Sequence, residues 1–461
     1  MQHRFEITAD GHVFYRSRRT CDEYIDHLQK TGKVPITFGQ KDLCESFFHK
    51  FFTMFTSGDN STPDSKRNVN VTLTTNFPTG PKLIEQSHRD KSGLRNLYVK
   101  TDANMLRELD PVTLDPVQSL SYKELLPEAS GPNTASHAAV DTETGELFNF
   151  VIRFGRTATY TVFKLTPPTE KEAAGHKVLA TITDAPAAYI HSVCLTKKYF
   201  VLCVWQADFK FNGAAIPYNK NLVQSLKAWN PNRKTLWYVI DRNNGDVVRK
   251  FTSDPFYAFH HIDSYDDADN VIVDLVIYDT HEVINSFYLD ALRSSSATKP
   301  VDPPPYVARV ILPGVTTSKN IGTGSITTTK CILELPTISP VVALKPNKYA
   351  YGVSTRGLSS LWDCILKIDL DKLYSNPSDP ESAIQRFERP KCTPSEPIFV
   401  PRPGSQREDD GVILMVELDG VKARSALVVI DGITFKEIAR AEVDGQSFVV
   451  PHGFHGTWWG H

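Results

Sequence analysis

Apolar residues recur along the whole chain in short runs of strand length. Segments such as "VNVTLTTNF", "TATYTVFKL", "NVIVDLVIYD" and "GVILMVEL" are rich in β-branched and aromatic residues, and Gly, Asp, Asn and Pro separate them. Runs of this composition and period are typical of β-strands. The pattern therefore predicts an all-β chain.

A recurring turn phrase joins many of these runs in pairs. A strand ends in Asp, a few polar residues and a Gly follow, and a second strand begins, as in "VDTETGELFNF" at 140–150 and "IDRNNGDVVRKF" at 240–251. A weaker version, "IDGITFKEIARAEV", lies at 430–443. Gly and Asn tolerate the positive φ that tight hairpin turns require. Hairpins repeated along the whole chain predict a β-propeller, in which each blade is a four-stranded sheet.

Three polar or proline-rich stretches interrupt the strand pattern, at 58–67, 294–306 and 376–397. The strand patterns on their two sides are alike, so we interpret them as loops within one domain that covers residues 1–461.

One segment has a helical instead of a strand period. The run "KDLCESFFHKFFTMF" at 41–55 places apolar residues three and four positions apart. Its aromatic face fits either a helix docked on the sheet or a helix lying on a membrane surface, and the sequence leaves both open. The residues on that face are Cys44, Phe48, Phe51, Phe52 and Phe55.

Composition excludes some classes of function. The 461 residues are 41% hydrophobic and 23% charged with a formal net charge of -2, which gives no positive field for a nucleic acid. The apolar runs are too short to span a bilayer, and the first residues lack the blocks of a signal peptide. The seven cysteines are odd in number, scattered and without a CxxC pair, which fits a reducing compartment and predicts a cytoplasmic protein.

Four of the fourteen histidines adjoin apolar runs at the predicted ends of strands: His137, His191, His260 and His455. They are far apart in sequence and meet only if the chain returns repeatedly to one axis, as propeller blades do. Neutral imidazole is a ligand for iron, copper or zinc. From spacing alone, ordinary surface or core histidines are the alternative.

Several sequence blocks resemble the carotenoid cleavage oxygenase family, whose relatives include a retinoid isomerohydrolase and apocarotenoid enzymes. The specific blocks are "FHHIDSYDD", "SEPIFVPRPG" and "PHGFHGTWW", and the likeness runs over nearly the whole chain. The resemblance implies a seven-bladed propeller with a few helices and loops over its substrate face. The family usually has further strands before "HRFEI", so we expect those N-terminal strands to be missing here.

The resemblance also implies a metal site. It places Fe(II) on the propeller axis, held by His137, His191, His260 and His455, and it leaves His261, His452 and His461 in ordinary roles. Three carboxylates match those that orient ligand imidazoles in the family: Asp102, Glu334 and Glu396.

Two acidic residues depart from the family pattern. The family usually has Glu at the position of Asp102 and Asn at that of Asp263. Asp is one methylene shorter than Glu, so we expect the hydrogen bond of Asp102 to its histidine to need a water or a shifted strand.

The activity that the resemblance implies is an Fe(II)-dependent dioxygenase. It cleaves a C=C bond of a carotenoid or apocarotenoid with O2 and gives aldehyde or ketone products, with no catalytic residue beyond the metal site and no obligate protein partner. The alternatives are a non-oxidative retinoid isomerase or isomerohydrolase, a stilbene-cleaving dioxygenase, and an inactive propeller that binds lipid.

Substrate and membrane contacts are predicted more loosely. Phe38, Thr101 and Trp205 are candidates for the wall of an apolar tunnel, with a core position as the alternative for Phe38 and Trp205. Related stilbene-cleaving enzymes have Tyr and Lys where Phe38 and Thr101 stand, so an apolar polyene is favoured. Cys44 aligns with a lipidated cysteine of a relative, which predicts peripheral attachment to a membrane or lipid body.

Overall fold

A computed structural model describes residues 1–31, 69–80, 93–219, 221–288, 303–358, 361–442 and 448–460. The predicted tunnel residue Phe38 lies outside the described residues. So do the five predicted membrane contacts, Cys44, Phe48, Phe51, Phe52 and Phe55.

The first half of the chain folds into a hairpin and three antiparallel sheets. The hairpin is β1 (Gln2–Ile7) and β2 (Val13–Arg18). The first sheet is β3 (Thr72–Thr75), β4 (Leu97–Lys100), β5 (Leu106–Leu109) and β6 (Pro116–Leu120). The second is β7 (Asn133–Thr134), β8 (Ala139–Val140), β9 (Leu147–Arg153), β10 (Thr159–Thr166) and β11 (Gly175–Ile182). The third is β12 (Cys194–Leu195), β13 (Tyr199–Val204), β14 (Thr235–Asp241) and β15 (Val247–Ser253), with β19 (Gly322–Thr323) added in parallel at its edge.

The second half adds three more sheets of the same kind. The fourth is β16 (Tyr257–Asp267), β17 (Asn270–Tyr278), β18 (Tyr306–Leu312) and β20 (Ser325–Ile332). The fifth is β21 (Glu334–Thr337), β22 (Tyr349–Ser354), β23 (Cys364–Asp369) and β24 (Ile384–Glu388). The sixth is β25 (Cys392–Pro394), β26 (Ile398–Pro401), β27 (Gly411–Asp419), β28 (Arg424–Asp431) and β29 (Glu437–Glu442). Consecutive sheets built from consecutive strands are the architecture of a β-propeller, so the prediction of an all-β propeller is confirmed.

The predicted number of seven blades is wrong for the described residues, which form six sheets of four or five strands and one two-stranded hairpin. The hairpin lies between the sixth and the first sheet. Tyr15 packs on Phe448 beside the start of β28, with ring centroids 4.7 Å apart, and Arg4 and Arg16 both donate to the carbonyl of Val112 in the turn between β5 and β6. This closure joins opposite ends of the chain, and local strand patterns carry no information about it. The absence of the family's further N-terminal strands stays a prediction.

The predicted hairpin turns are confirmed at all three places. In each, the residue four positions after the Asp takes a positive φ and donates its N–H to the Asp carbonyl. That residue is Gly145 (φ 71°), Gly245 (φ 90°) and, in the weaker version, Phe435 (φ 56°). A Cβ on Gly245 would lie 2.0 Å from the carbonyl oxygen of Leu179, so this turn requires glycine.

Apolar side chains between neighbouring sheets hold the propeller together. The largest buried cluster runs without a break from the second sheet to the sixth and includes Trp205, Trp237 and Tyr257, none of which is exposed. A second cluster packs the first sheet on the second. Because adjacent blades bury each other's faces, the inner strands are held at fixed positions around the axis.

Helices are few and short among the described residues. The α-helices are α1 (Asp22–Thr31), α2 (Tyr122–Leu125), α3 (Ala215–Asn219) and α4 (Leu370–Ser375), and the 3₁₀ turns are Lys210–Gly213, Val223–Ser225, His281–Phe287, Pro340–Val342 and Pro380–Ala383. In the described ranges, no helix has the length and apolar character needed to cross a bilayer. The loop predicted at 376–397 is wrong in part, because it contains β24 and β25.

Candidate metal centre

The structure brings the four predicted histidines together. His137 lies between β7 and β8, His191 lies three residues before β12, and His260 lies inside β16. His455 comes from the segment after the sixth sheet. One ring nitrogen from each histidine lies within 4.8 Å of the others. This spacing allows four imidazoles to share one metal ion.

Backbone pairing between the innermost segments of neighbouring blades explains this convergence. The N–H of His137 donates to the carbonyl of His191 over 3.0 Å, and His137 and Ser192 form a parallel bridge. The segments that carry His191 and His260 also lie side by side, because the Oγ of Ser192 donates to the carbonyl of Phe259. The side chains of His137, His191 and His260 therefore project from adjacent inner segments toward one another.

Burial keeps two of the rings uncharged. Burial lowers the pKa of His137 well below the usual histidine value, and the positive charge of the other imidazoles and of Lys100 would lower it further. Burial also lowers the pKa of His260, although the neighbouring carboxylate of Glu334 opposes this shift. Neutral imidazole has a free lone pair, which is the form that binds metal. His137 and His260 are thus in the form that can bind a cation at neutral pH.

Each of the three predicted carboxylates contacts one histidine. The Nδ1 of His260 donates to Glu334 over 2.6 Å, and the Nδ1 of His455 donates to Glu396 over 3.0 Å. The Nδ1 of His191 donates directly to Asp102 over 2.8 Å, so no water is needed between them, and the alternative of a shifted strand stays a prediction. With Nδ1 engaged in three of the rings, Nε2 is the nitrogen left for a metal. The Nε2 atoms of His137 and His455 are 3.1 Å apart.

Two tyrosines support these carboxylates, and the sequence analysis missed both. The hydroxyl of Tyr189 donates to the second oxygen of Asp102 over 2.9 Å, and the hydroxyl of Tyr278 donates to the second oxygen of Glu334. Tyr189 lies two residues before His191, and strand residues two apart share a face. That spacing was the available signal. For Tyr278 no local signal exists, because it reaches Glu334 from the neighbouring blade.

Glu396 fixes the C-terminal segment. Besides His455, it accepts the backbone N–H of Gly456 over 2.8 Å. The aromatic side chains of the segment do not anchor it by full burial, since Phe454 is 46% and Trp459 36% exposed. Two hydrogen bonds to the carboxylate of Glu396 therefore hold His455 at the cluster.

We expect Tyr189→Phe to weaken the support of Asp102. Loss of one buried hydrogen bond should lower the free energy of unfolding by about 1 kcal/mol. Metal affinity should fall by up to about tenfold, because Asp102 then orients His191 less firmly. Tyr374→Phe is the matched control, since its hydroxyl donates over 2.9 Å to the buried carboxylate of Asp274, which pairs with Arg309 instead of a clustered histidine. Equal metal affinity in the two variants, measured by competition with a chelator, would contradict the role given to Tyr189.

A cavity beside the cluster is lined by residues that include His260 and Asp263 of β16 and Leu344, which follows the 3₁₀ turn Pro340–Val342. Burial raises the pKa of Asp263 to about 8. Hydrogen bonds from the backbone N–H groups of Ser264 and Leu344 lower this pKa and so oppose part of the shift. Both oxygens of Asp263 lie 3.2–3.3 Å from the Leu344 nitrogen. The folded protein therefore holds a proton on Asp263 at neutral pH.

Replacing Asp263 by Asn, the usual family residue, should stabilise the protein at neutral pH. The unfolded chain releases the Asp263 proton above pH ~4, whereas the folded chain keeps it up to about pH 8, so stability falls as pH rises between these values. Asn does not titrate, and we expect a gain of roughly 1–3 kcal/mol at pH 7 and little change at pH 4. Urea unfolding at both values measures this. An identical pH profile in the two proteins would contradict it.

The other predicted site residues that the structure describes are the tunnel candidates Trp205 and Thr101. Trp205 is fully buried, and its Nε1 donates to the carbonyl of Tyr189 over 2.9 Å, so it occupies the core position considered as its alternative. Thr101 is partly exposed beside Asp102. Its tunnel role stays a prediction.

Residues 1–460 match the family model described as retinal pigment epithelial membrane protein. The chain is 34% identical to torulene dioxygenase of Gibberella fujikuroi over 502 aligned positions, which cover 98% of this chain and 82% of that protein. The chain belongs to this family of carotenoid oxygenases. This carotenoid oxygenase is also 33% identical to carotenoid dioxygenase of Neurospora crassa (99% and 80% covered) and 28% identical to beta,beta-carotene 15,15'-dioxygenase of Mus musculus (98% and 81% covered).

Solved structures support the fold of this carotenoid oxygenase. A variant of the Synechocystis apocarotenoid oxygenase superposes with a TM-score of 0.74 at 21% identity, covering 100% of this chain and 87% of that one. A cobalt-substituted form of the Synechocystis enzyme gives a TM-score of 0.74 at 19% identity, with the same coverage. Similarity at this level of identity establishes the propeller fold.

Proposed function

We propose that this carotenoid oxygenase is an Fe(II)-dependent dioxygenase that cleaves one conjugated C=C bond of a carotenoid or apocarotenoid. Both atoms of O2 end in the carbonyl groups of two aldehyde or ketone products, so no flavin or nicotinamide is needed. The observation that carries the proposal is the convergence of four imidazoles, three of them held by carboxylates. The relatives named for torulene and for beta,beta-carotene support the substrate class.

The donor set fits a divalent metal ion. The Nε2 of His260 is buried and has no hydrogen-bond partner in the described part of the chain, whereas buried polar atoms usually have one. A metal ion held by His137, His191, His260 and His455 would satisfy this nitrogen. Four neutral ligands leave the ion its full charge and open positions, so that Fe(II), when bound, supplies the activation of O2. Zinc hydrolases instead commonly use three protein ligands and a water.

The protein's own residues position the reaction in this proposal. Asp102, Glu334 and Glu396 hold the rings of His191, His260 and His455 in the tautomer that presents Nε2. We assign no general acid or base, because cleavage of a C=C bond by O2 requires no net proton transfer. The tunnel that selects the bond is proposed to include Phe38 and Thr101, whose side chains cannot activate a phenol.

The test is O2-dependent bleaching of a polyene. Fe(II)-loaded protein is mixed without oxygen with torulene or a β-apocarotenal in micelles, O2 is admitted, and polyene absorbance and O2 uptake are recorded. We expect one O2 consumed per bond cleaved, with aldehydes formed. Turnover of a retinyl ester without O2 would establish the isomerohydrolase instead. Faster cleavage of a hydroxylated stilbene would favour the stilbene-cleaving activity, and polyene binding without bleaching would favour the lipid-binding propeller.

We also propose that the protein works in the cytoplasm at a membrane or lipid-body surface. A carotenoid is nearly insoluble in water, so its enzyme must take it from an apolar phase. The support is in the sequence, where the spacing of Cys44 and the aromatic residues at positions 48, 51, 52 and 55 predicts that they share one face of a helix. Vesicle flotation of the full chain, compared with a Phe51→Glu variant, measures this association.

A further inference from the structure

One hydroxyl connects the segments of two clustered histidines. Ser192 follows His191 in the chain, and its Oγ donates to the carbonyl of Phe259 over 2.6 Å. The same Oγ lies 2.7 Å from the Nδ1 of His261. Phe259 and His261 flank His260. Ser192 therefore hydrogen-bonds to the fourth sheet on both sides of His260.

The hydrogens in this contact can be assigned. A carbonyl only accepts, so the single hydrogen of Ser192 goes to Phe259. The Nδ1 of His261 must then carry a hydrogen and donate it to Ser192. His261 presents its ring edge to Ser192 and packs near Trp205, with ring centroids 5.9 Å apart. Its ring is thus used for packing and for this bond, which separates its role from that of His260.

His137 also contacts Ser192. His137 forms a parallel bridge with Ser192, and its N–H donates to the carbonyl of His191. Ser192 is only 3% exposed, so water does not compete for its bonds. Its backbone pairs with the segment of His137 and its side chain binds the segment of His260. Three of the four histidine segments meet at one serine.

We propose that Ser192 is a positioning residue that fixes the spacing of His191 and His260 for metal binding. The proposal rests on the proposed function, since it assumes that the four histidines hold a metal. A ligand cluster held at its final spacing loses little freedom on binding, so binding is tighter and release slower. Without the Ser192 hydroxyl, the blade that carries His191 can shift against the blade that carries His260.

Ser264 offers a matched control on the same two elements. Its hydroxyl accepts the N–H of Leu195 over 3.1 Å and donates to the Leu195 carbonyl over 2.8 Å. It is 2% exposed and also joins the third sheet to the fourth. Ser264 lies four residues after His260 and its partner Leu195 four residues after His191, whereas Ser192 directly follows His191 and contacts both neighbours of His260. Ser264→Ala therefore removes a similar buried inter-blade contact that does not involve the residues next to His191 and His260.

The experiment compares metal release from the wild type, Ser192→Ala and Ser264→Ala, each as the full chain loaded with Co(II) or Fe(II). Release to excess chelator is followed with the visible absorption of Co(II), and the thermal midpoint of each metal-free protein is recorded. We expect both variants to lose similar thermal stability. Only Ser192→Ala should release metal roughly 10–100-fold faster and change the Co(II) spectrum. Ser192→Cys, nearly isosteric with a weak sulfur donor, should lie between it and the wild type.

Three outcomes overturn the inference. Release from Ser192→Ala at the wild-type rate shows that the hydroxyl does not position the ligands. Equal acceleration in Ser192→Ala and Ser264→Ala shows that the effect is general loss of stability. A wild type that binds neither metal overturns both this inference and the proposed function, whereas metal binding by the wild type with either of the first two outcomes overturns this inference alone.

Discussion

His455→Ala should abolish stoichiometric metal binding and reduce polyene cleavage to background. The imidazole of His455 places Nε2 3.1 Å from that of His137, and its Nδ1 is fixed by Glu396. Alanine removes one of the four proposed ligand nitrogens, and the backbone contacts that fix His137, His191 and His260 leave no ring free to replace it. Metal per chain and the rate of O2-dependent bleaching are the measurements.

His452→Ala is the control on the same segment. His452 lies three residues before His455, and its ring contacts Phe454 edge to face with centroids 5.5 Å apart. It belongs to no group of potential ligands among the described residues. We expect this variant to keep its metal and its activity. Equal loss in both variants would show that the segment matters only as a structural element, and full metal retention by His455→Ala would refute its role as a ligand.

Glu334→Gln should weaken metal binding roughly 10–100-fold while leaving all four histidines in place. Glu334 is 2% exposed and accepts three hydrogen bonds, from His260 Nδ1, Tyr278 and the N–H of Leu335. Burial raises the pKa of Glu334, but His260 and these donors outweigh burial and lower it below the usual value, so the group is a carboxylate. The amide of Gln carries N–H donors of its own, whereas the three groups that contact this side chain are all hydrogen-bond donors. One donor must then lose its acceptor, and His260 is no longer held.

Glu417→Gln separates this effect from the general cost of altering a buried carboxylate. Glu417 is also 2% exposed and accepts a charged hydrogen bond from Arg440 over 2.7 Å, within the sixth sheet. Both variants should lose stability in urea unfolding. Only Glu334→Gln should lose metal affinity in chelator competition. If the two variants bind metal equally well, Glu334 does not orient a ligand.

Local patterns predicted the strands and turns of this protein, but not its closure. The Asp-to-Gly turns at Gly145 and Gly245 follow from φ constraints within five residues, so the sequence is sufficient there. The stretch at 376–397 contains β24 and β25 despite its prolines, because pairing with β23 and β27 overrides local propensity. Blade number depends on contacts between the two ends of the chain.

In the candidate site too, some residues could be predicted from the sequence and others depend on contacts between blades. Resemblance assigned the four histidines and three carboxylates, each within a recognisable block. Tyr278 and Ser192 act across blades, on Glu334 and on the neighbours of His260, and no spacing along the chain relates them to their partners. The sequence also could not decide between a bridging water and a direct contact for Asp102, because the spacing that lets it reach His191 depends on how the sheets pack.

The most direct test of the central claim is the number of iron ions per chain in protein purified without oxygen and loaded with Fe(II). The convergence of His137, His191, His260 and His455 predicts one tightly held iron per chain. A folded protein that retains no iron after loading would contradict the assignment of these four residues as a metal site.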